Sequence, residues 1–295
     1  MDEILHFVYQ IDASLNEDRI WRTDILPHIS GAAPNVLQIC QYGLSEIVNN
    51  GIEHSGSGEL LVDLSILGQE IGQDASQNTG QEIAFTVADR GTGIFTKIQR
   101  ELGLDDPRHA VLELVKGKYT SDPQRHSGEG IFFTSRIFDR FSIRSGGISF
   151  FAGRDRNGFL EEPSLKSGED AVSGTVVSMA IRKDSPVLIA DIFNEYTDPD
   201  SYPGFYRTSI PVKLMEGEGE SLMSRSQARR LIARFDRFLE VTLDFSGVEV
   251  MGQGFADEIF RVFAAAHPTV NLRSINCGRN VETMIRHVRP AADAR

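Results

Sequence analysis

Two stretches decide the fold: residues 46–54, Glu46-Ile-Val-Asn-Asn-Gly-Ile-Glu-His54, and residues 89–93, Asp89-Arg-Gly-Thr-Gly93. The first continues a helical pattern in which Val36, Leu37, Cys40, Leu44, Ile47, Val48 and Ile52 recur at three- and four-residue steps. Glu46, Asn50 and His54 are spaced four apart on that helix, so they form one stripe beside its buried face. A carboxylate and a carboxamide one turn apart at the margin of a core are costly to desolvate without partners. Asp89 follows the apolar strand that begins at Glu82 and sits at its end, where a carboxylate can accept a hydrogen bond. Gly91 and Gly93 let the chain turn tightly and approach a ligand closely.

Outward from this pair, strands are expected at Leu60–Leu67 and Glu82–Ala88, with a hairpin loop at Gly68–Gly80. Helices follow at Ile94–Leu102 and His109–Val115. The stretch Lys116–Gly130 is polar and contains four glycines or prolines; it reads as a loop bearing Lys116, Lys118, Arg125 and His126. Gly128-Glu129-Gly130 opens a helix at Ile131, and backbone amides at a helix start attract anions. Strands are expected at Phe141–Arg144, Ile148–Ala152 and Gly174–Ile181, the last carrying Thr175.

Periodicity weakens from Arg182 to about Tyr206, where Pro186, Pro199 and Pro203 cluster, so the domain boundary falls there: residues 1–184, a linker over 185–206, and 207–295. In the second domain strands at Ser209–Leu214, Val241–Phe245 and Val270–Ile275 alternate with helices at Ser226–Leu239, Phe255–Ala265 and Val281–Val288. That alternation predicts right-handed crossovers onto a small sheet.

The set of motifs, in this order, resembles the GHKL ATPase superfamily of gyrase-type topoisomerases, MutL, sensor histidine kinases and anti-sigma factor kinases. The resemblance covers roughly residues 20–182. It implies an α+β fold, a two-layer α/β sandwich of the GHKL type, with Mg²⁺ and ATP as cofactors. Within it Asn50 is the metal ligand and Glu46 the candidate base. Asp89 takes the adenine amino group beside Gly91, Gly93 and Thr175, while Lys116, Lys118, Gly128, Glu129, Gly130 and Ile131 surround the phosphates. The departure from the family pattern is Ile131-Phe-Phe133, where a glycine- and leucine-rich run is usual. Neither a P-loop nor a Rossmann fingerprint is present. Taken singly, each motif also fits a plain reading: a solvated helix edge, an Asp-x-Gly turn, a strand threonine.

Leu243-Asp-Phe-Ser-Gly-Val-Glu-Val-Met-Gly-Gln-Gly-Phe-Ala256 is similar to the STAS domain of anti-sigma factor antagonists, over roughly residues 207–290. The family's phosphorylatable serine belongs just before the Phe255 helix, yet this chain has Gly252, Gln253 and Gly254 there. The expected function is therefore an ATP-binding regulator. It acts either as an ATPase or serine protein kinase or as a non-catalytic nucleotide switch, with a regulatory protein as partner and a homodimer compatible with either.

Bulk properties are consistent with that class. The chain has 295 residues, 40% hydrophobic and 24% charged, with a net charge of −12 and no long basic run, so wholesale nucleic-acid binding is not expected. No apolar run is long enough to span a bilayer, the first residues do not form a secretory signal, and Cys40 and Cys277 suit a reducing cytoplasm.

Overall fold

The computed structural model describes residues 3–67, 81–119, 128–154, 164–198, 202–216 and 221–289. The expected loop at Gly68–Gly80 and residues Arg125 and His126 lie outside them. The chain divides into two units: residues 1–111 with 118–193, and residues 112–117 with 194–295. Residues 112–117, from the middle of the chain, group with the C-terminal unit.

Unit one opens with β1 (Glu3–Gln10), followed by a helical run of α1 (Glu17–Arg19), a π-helical turn (Ile20–Ile25) and α2 (Leu26–Ile29). Ile20, Trp21, Ile25 and Ile29 on this run are all buried, which explains why a segment with mixed composition is ordered. Next come α3 (Pro34–His54), β2 (Glu59–Leu67), β3 (Glu82–Asp89), α4 (Ile94–Leu102) and the first residues of α5 (Arg108–Lys116), whose residues 112–116 belong with unit two. α6 (Gly130–Ile137), β4 (Arg140–Gly153) and β5 (Ser164–Arg182) complete it, and α7 (Ile189–Tyr196) crosses the division.

The five strands form one antiparallel sheet in the order β1-β2-β3-β5-β4. Alternate residues, Leu60, Val62 and Leu64 on β2 and Ile83, Phe85 and Val87 on β3, are fully buried, so one face of the sheet carries the core. α3 packs there against β2, β3 and β5, presenting Val36, Ile39, Cys40, Leu44, Ile47 and Val48. The two expected strands Phe141–Arg144 and Ile148–Ala152 are one long β4, because irregularities at Ser145–Ile148 bend it without ending it.

Unit two holds a two-stranded ribbon of β6 (Thr197–Asp198) and β7 (Tyr202–Phe205) and a three-stranded parallel sheet. That sheet consists of β8 (Arg207–Pro211), β9 (Glu240–Asp244) and β10 (Asn271–Ile275), with β9 central. Between β8 and β9 lies α8 (Arg225–Ile232), started by a full capping box in which Ser224 and Gln227 bond each other's backbone amides. α9 (Gln253–Asp257), a second π-helical turn (Glu258–Phe263) and α10 (Ala264–Ala266) lead to β10, and α11 (Arg279–Val288) follows it. Val241, Leu243, Phe255, Ile259, Phe260 and Val281 form its core. The architecture is α+β in unit one and parallel α/β in unit two. Among the described residues no helix is long and apolar enough to cross a membrane.

Candidate functional site

α3 is the element that joins the motifs of unit one. Glu46 and Asn50 are both half-buried along its edge. At its C-terminal end Ser55 accepts the Thr92 amide on its carbonyl at 3.0 Å, which ties the helix to the turn after Asp89. A side chain on Gly91 would overlap that same carbonyl, so glycine is required here by the approach of backbone to backbone. The space above Gly91 thus holds protein in this structure, not an opening for a ligand. Lys97 on α4 adds a second tie, its Nζ donating to the His54 carbonyl at 3.1 Å.

Asp89 and Thr175 stand opposite each other across β3 and β5. The Gly91 amide donates to Asp89 Oδ1 at 2.8 Å, and the Ile94 amide donates to the Thr175 hydroxyl at 3.0 Å. Burial pushes the Asp89 carboxyl above the ordinary carboxylate range, and hydrogen bonds from Gly91 and Thr175 oppose that rise. Gly93 has φ 85°, a left-handed value, and a side chain on it would meet Ser145 Oγ and the Gly174 carbonyl. Ser145, whose hydroxyl donates to Gly174 at 2.8 Å, is therefore a buried member of this turn. Nothing in the sequence marks it out.

The third motif meets α3 from the other side. A side chain on Gly130, the first residue of α6, would overlap the Glu46 carboxylate. Glu46 thus holds its negative charge at a helix N-terminus, where the macrodipole favours it. This is the location to which the sequence assigns a phosphate. Tyr42, one turn before Glu46, lies close enough that the Glu46 and Glu129 charges, after burial, push its hydroxyl pKa up. Its i−4 spacing from Glu46 is a signal that could have found it. Ile131 is half-buried beside this start. Gly128, with φ 73°, brings its backbone against that of Tyr119. Lys118 also has positive φ, at 56°.

Lys116 requires a correction. It is fully buried in unit two, and its Nζ donates to Glu113 Oε1 at 2.7 Å and to the Arg230 and Ala233 carbonyls at 3.0 and 3.1 Å. Arg234 pairs with the other Glu113 oxygen at 2.6 Å, and Thr208 Oγ1 donates to the Lys116 carbonyl at 2.8 Å. Burial lowers the Lys116 pKa to about 8, although Glu113 raises it. With its three donors engaged, this ammonium is not a phosphate ligand. A lysine in a polar run reads as solvent-facing, and only the partners Glu113 and Arg234 reveal otherwise.

In unit two the loop Gly252-Gln253-Gly254 lies at the start of α9, and Gly252 and Gly254 both pack against Met223. Behind it Asp257 and Glu258 are held by Arg225, Arg229 and Arg261, which draw both carboxyls below the ordinary range. Ser246 is engaged through its amide and hydroxyl with Asp244.

Comparison with known proteins bears on unit two. No curated protein matches the chain. A solved structure described as the N-terminal domain of a DNA repair protein is 14% identical, over 59% of this chain and 45% of that one, with a TM-score of 0.25. The chain thus spans less than half of that structure's length, and a likeness of this size carries no argument. The model of a STAS-like domain of unknown function (DUF4325) matches residues 227–282, from α8 into α11, so the second unit of this chain carries a STAS-like domain.

Proposed function

We propose that unit one is a GHKL-type domain that binds a magnesium adenine nucleotide and that its nucleotide state regulates the STAS-like unit. The observation that supports this is the double tie of α3, through Ser55 to the Asp89 turn and through Glu46 to the start of α6. On this reading the Asp89 carboxyl, the Asn50 amide and the start of α6 would serve one ligand along the edge of α3. Asp89 fits the nucleotide, because a carboxyl destabilised by burial gains from a donor such as a purine amino group.

Magnesium belongs to this reading as the nucleotide's counter-ion, a hard cation that takes oxygen ligands. Among the described residues no group of three or more His, Cys, Asp or Glu could hold a metal ion. In this reading the Asn50 oxygen would share the ion with phosphate oxygens and water, as this hard cation prefers. Bound there, the metal nucleotide would supply an activated γ-phosphoryl group. Glu46 would then take a proton from the attacking water or hydroxyl, and the Gly130 and Ile131 amides would face negative charge.

A second reading, a switch without turnover, draws on the Glu46 carboxylate itself. It already occupies the start of α6, so nucleotide binding would have to reposition it before it could act as a base. The loop Gly252-Gln253-Gly254 offers no hydroxyl, so a kinase of this type would phosphorylate another protein. Incubation with γ-labelled ATP and Mg²⁺ separates the readings. Phosphate release or label transfer that disappears in Glu46→Ala supports catalysis, whereas binding without either supports the switch.

A further inference from the structure

We propose that β1 is a dimerisation strand, through which two copies of this chain pair antiparallel about a two-fold axis centred on His6. β1 is the outermost strand of the unit-one sheet; among the described residues its strand ladder is with β2 alone, in unbroken register from Glu3↔Ile66 to Gln10↔Glu59, and its Tyr9 hydroxyl donates to Asp24 at 2.8 Å. Alternate amides and carbonyls along it therefore face away from the sheet. Edge strands are normally blunted by lysine, proline, bulges or a covering segment, because open ladders recruit other strands. Glu-Ile-Leu-His-Phe-Val-Tyr-Gln contains no Lys, Arg, Pro or Gly. The opposite edge is different: β4 carries Arg140 and Arg144, and its ladder shifts register between Ser145 and Ile148.

Both faces of β1 are apolar and incompletely covered. On one, Ile4 is 53% and Val8 62% exposed; on the other, Leu5, Phe7 and Tyr9 are half-buried, the last two stacked at 6.3 Å. His6 lies between Ile4 and Val8, bonded to Asp63 on β2 at 2.8 Å.

The strand is its own complement in one register. Centred on His6, Ile4 faces Val8 twice and Leu5 faces Phe7 twice, with every side chain kept on its own face. A shift by one residue would flip the faces, and a shift by two would place Ile4 or Val8 opposite a polar residue. Charge favours the same partner. The chain carries −12, whereas β1 has Glu3 as its one formally charged residue. Antiparallel pairing sets the two copies of position 3 roughly 20 Å apart, six residues of extended chain. Isologous contact of this kind closes at two subunits.

The test uses the full chain carrying Cys277→Ser, which removes the half-buried thiol. Light scattering should give a dimer, and Val8→Lys should weaken it at least about tenfold, since it buries charge beside apolar neighbours. Thermal unfolding of the Val8→Lys monomer should match that of dissociated parent protein. Mild oxidation should link His6→Cys to itself and link the double variant Ile4→Cys/Val8→Cys, but leave Ile4→Cys alone uncrosslinked. A monomeric parent at about 100 µM overturns the proposal. So does a dimer that persists in Val8→Lys, or crosslinking of Ile4→Cys as efficient as that of His6→Cys.

Discussion

The carboxylate of Glu46 fills the space in which a side chain on Gly130 would stand. That contact couples the helix bearing Asn50 to the helix whose amides would meet phosphate. Because the obstacle is the end of a flexible side chain, Gly130→Ala should cost about 1 kcal/mol or less in urea unfolding, by swinging Glu46 aside. Phosphate release should fall far more than stability does. Equal activity in Gly130→Ala and the parent would show that the position of Glu46 does not matter for turnover.

Gly91 gives the contrasting case. Its obstacle is the Ser55 carbonyl, a rigid backbone group already bonded to Thr92. Gly91→Ala should therefore destabilise unit one by about 2–4 kcal/mol, because α3 and the Asp89 turn must separate. A denaturation midpoint within experimental error of the parent would contradict the tie.

Asp89 should trade stability for binding. Its folded pKa is raised by burial, above the roughly 3.9 of an unfolded aspartate. The folded state therefore holds the proton more tightly in the window just above pH 4, and stability falls as pH rises through that window. Asp89→Asn should abolish this loss, leaving the variant at least as stable as the parent at pH 7 while weakening adenine-nucleotide binding at least about tenfold. Chemical denaturation from pH 3.5 to 7 measures the first effect. A variant that binds ATP as tightly as the parent would remove Asp89 from the pocket.

Lys116 has the opposite sign. Its folded pKa of about 8 lies below the ordinary lysine value of about 10.4, so the unfolded state binds more protons between them. Burial of the charge weighs against folding below pH 8, and this burden lifts as pH rises to 10.4. The component of stability due to Lys116 should thus increase over that range and be missing in Lys116→Met. At pH 7 the same substitution leaves Glu113 with Arg234 alone and should cost about 3 kcal/mol, as for other broken buried ion pairs. A pH profile identical to the parent's would contradict this assignment.

Much of the framework was legible because burial imposes period. Of the apolar steps read along α3, Val36, Cys40, Leu44, Ile47 and Val48 are buried, whereas Leu37 and Ile52 are half-buried and the buried Ile39 lies outside that series; the strands expected at Leu60–Leu67 and Glu82–Ala88 are β2 and β3. What escaped had no periodic signature. Lys116 reads as a solvated loop residue because one partner, Arg234, is remote in sequence and the other, Glu113, lies on a helix that carries no motif. Ser55 and Ser145 act through a carbonyl and a hydroxyl at turns, and those roles depend on tertiary approach. β4 continues through Gly146 and Gly147 because its ladder with β5 resumes after the irregularity, although glycine pairs ordinarily end a strand. The segment around Pro186 reads as a linker, yet it leads into α7, whose Ile192 and Tyr196 are buried.

The nucleotide pocket is the central claim, and calorimetry tests it most directly. Titration of the full chain with a non-hydrolysable ATP analogue and Mg²⁺ should give one site per chain. Asp89→Asn should weaken that site with or without metal, and Asn50→Ala should remove its dependence on Mg²⁺. No heat of binding for the analogue, ATP or ADP, at protein concentrations at which the chain is folded, would contradict the account.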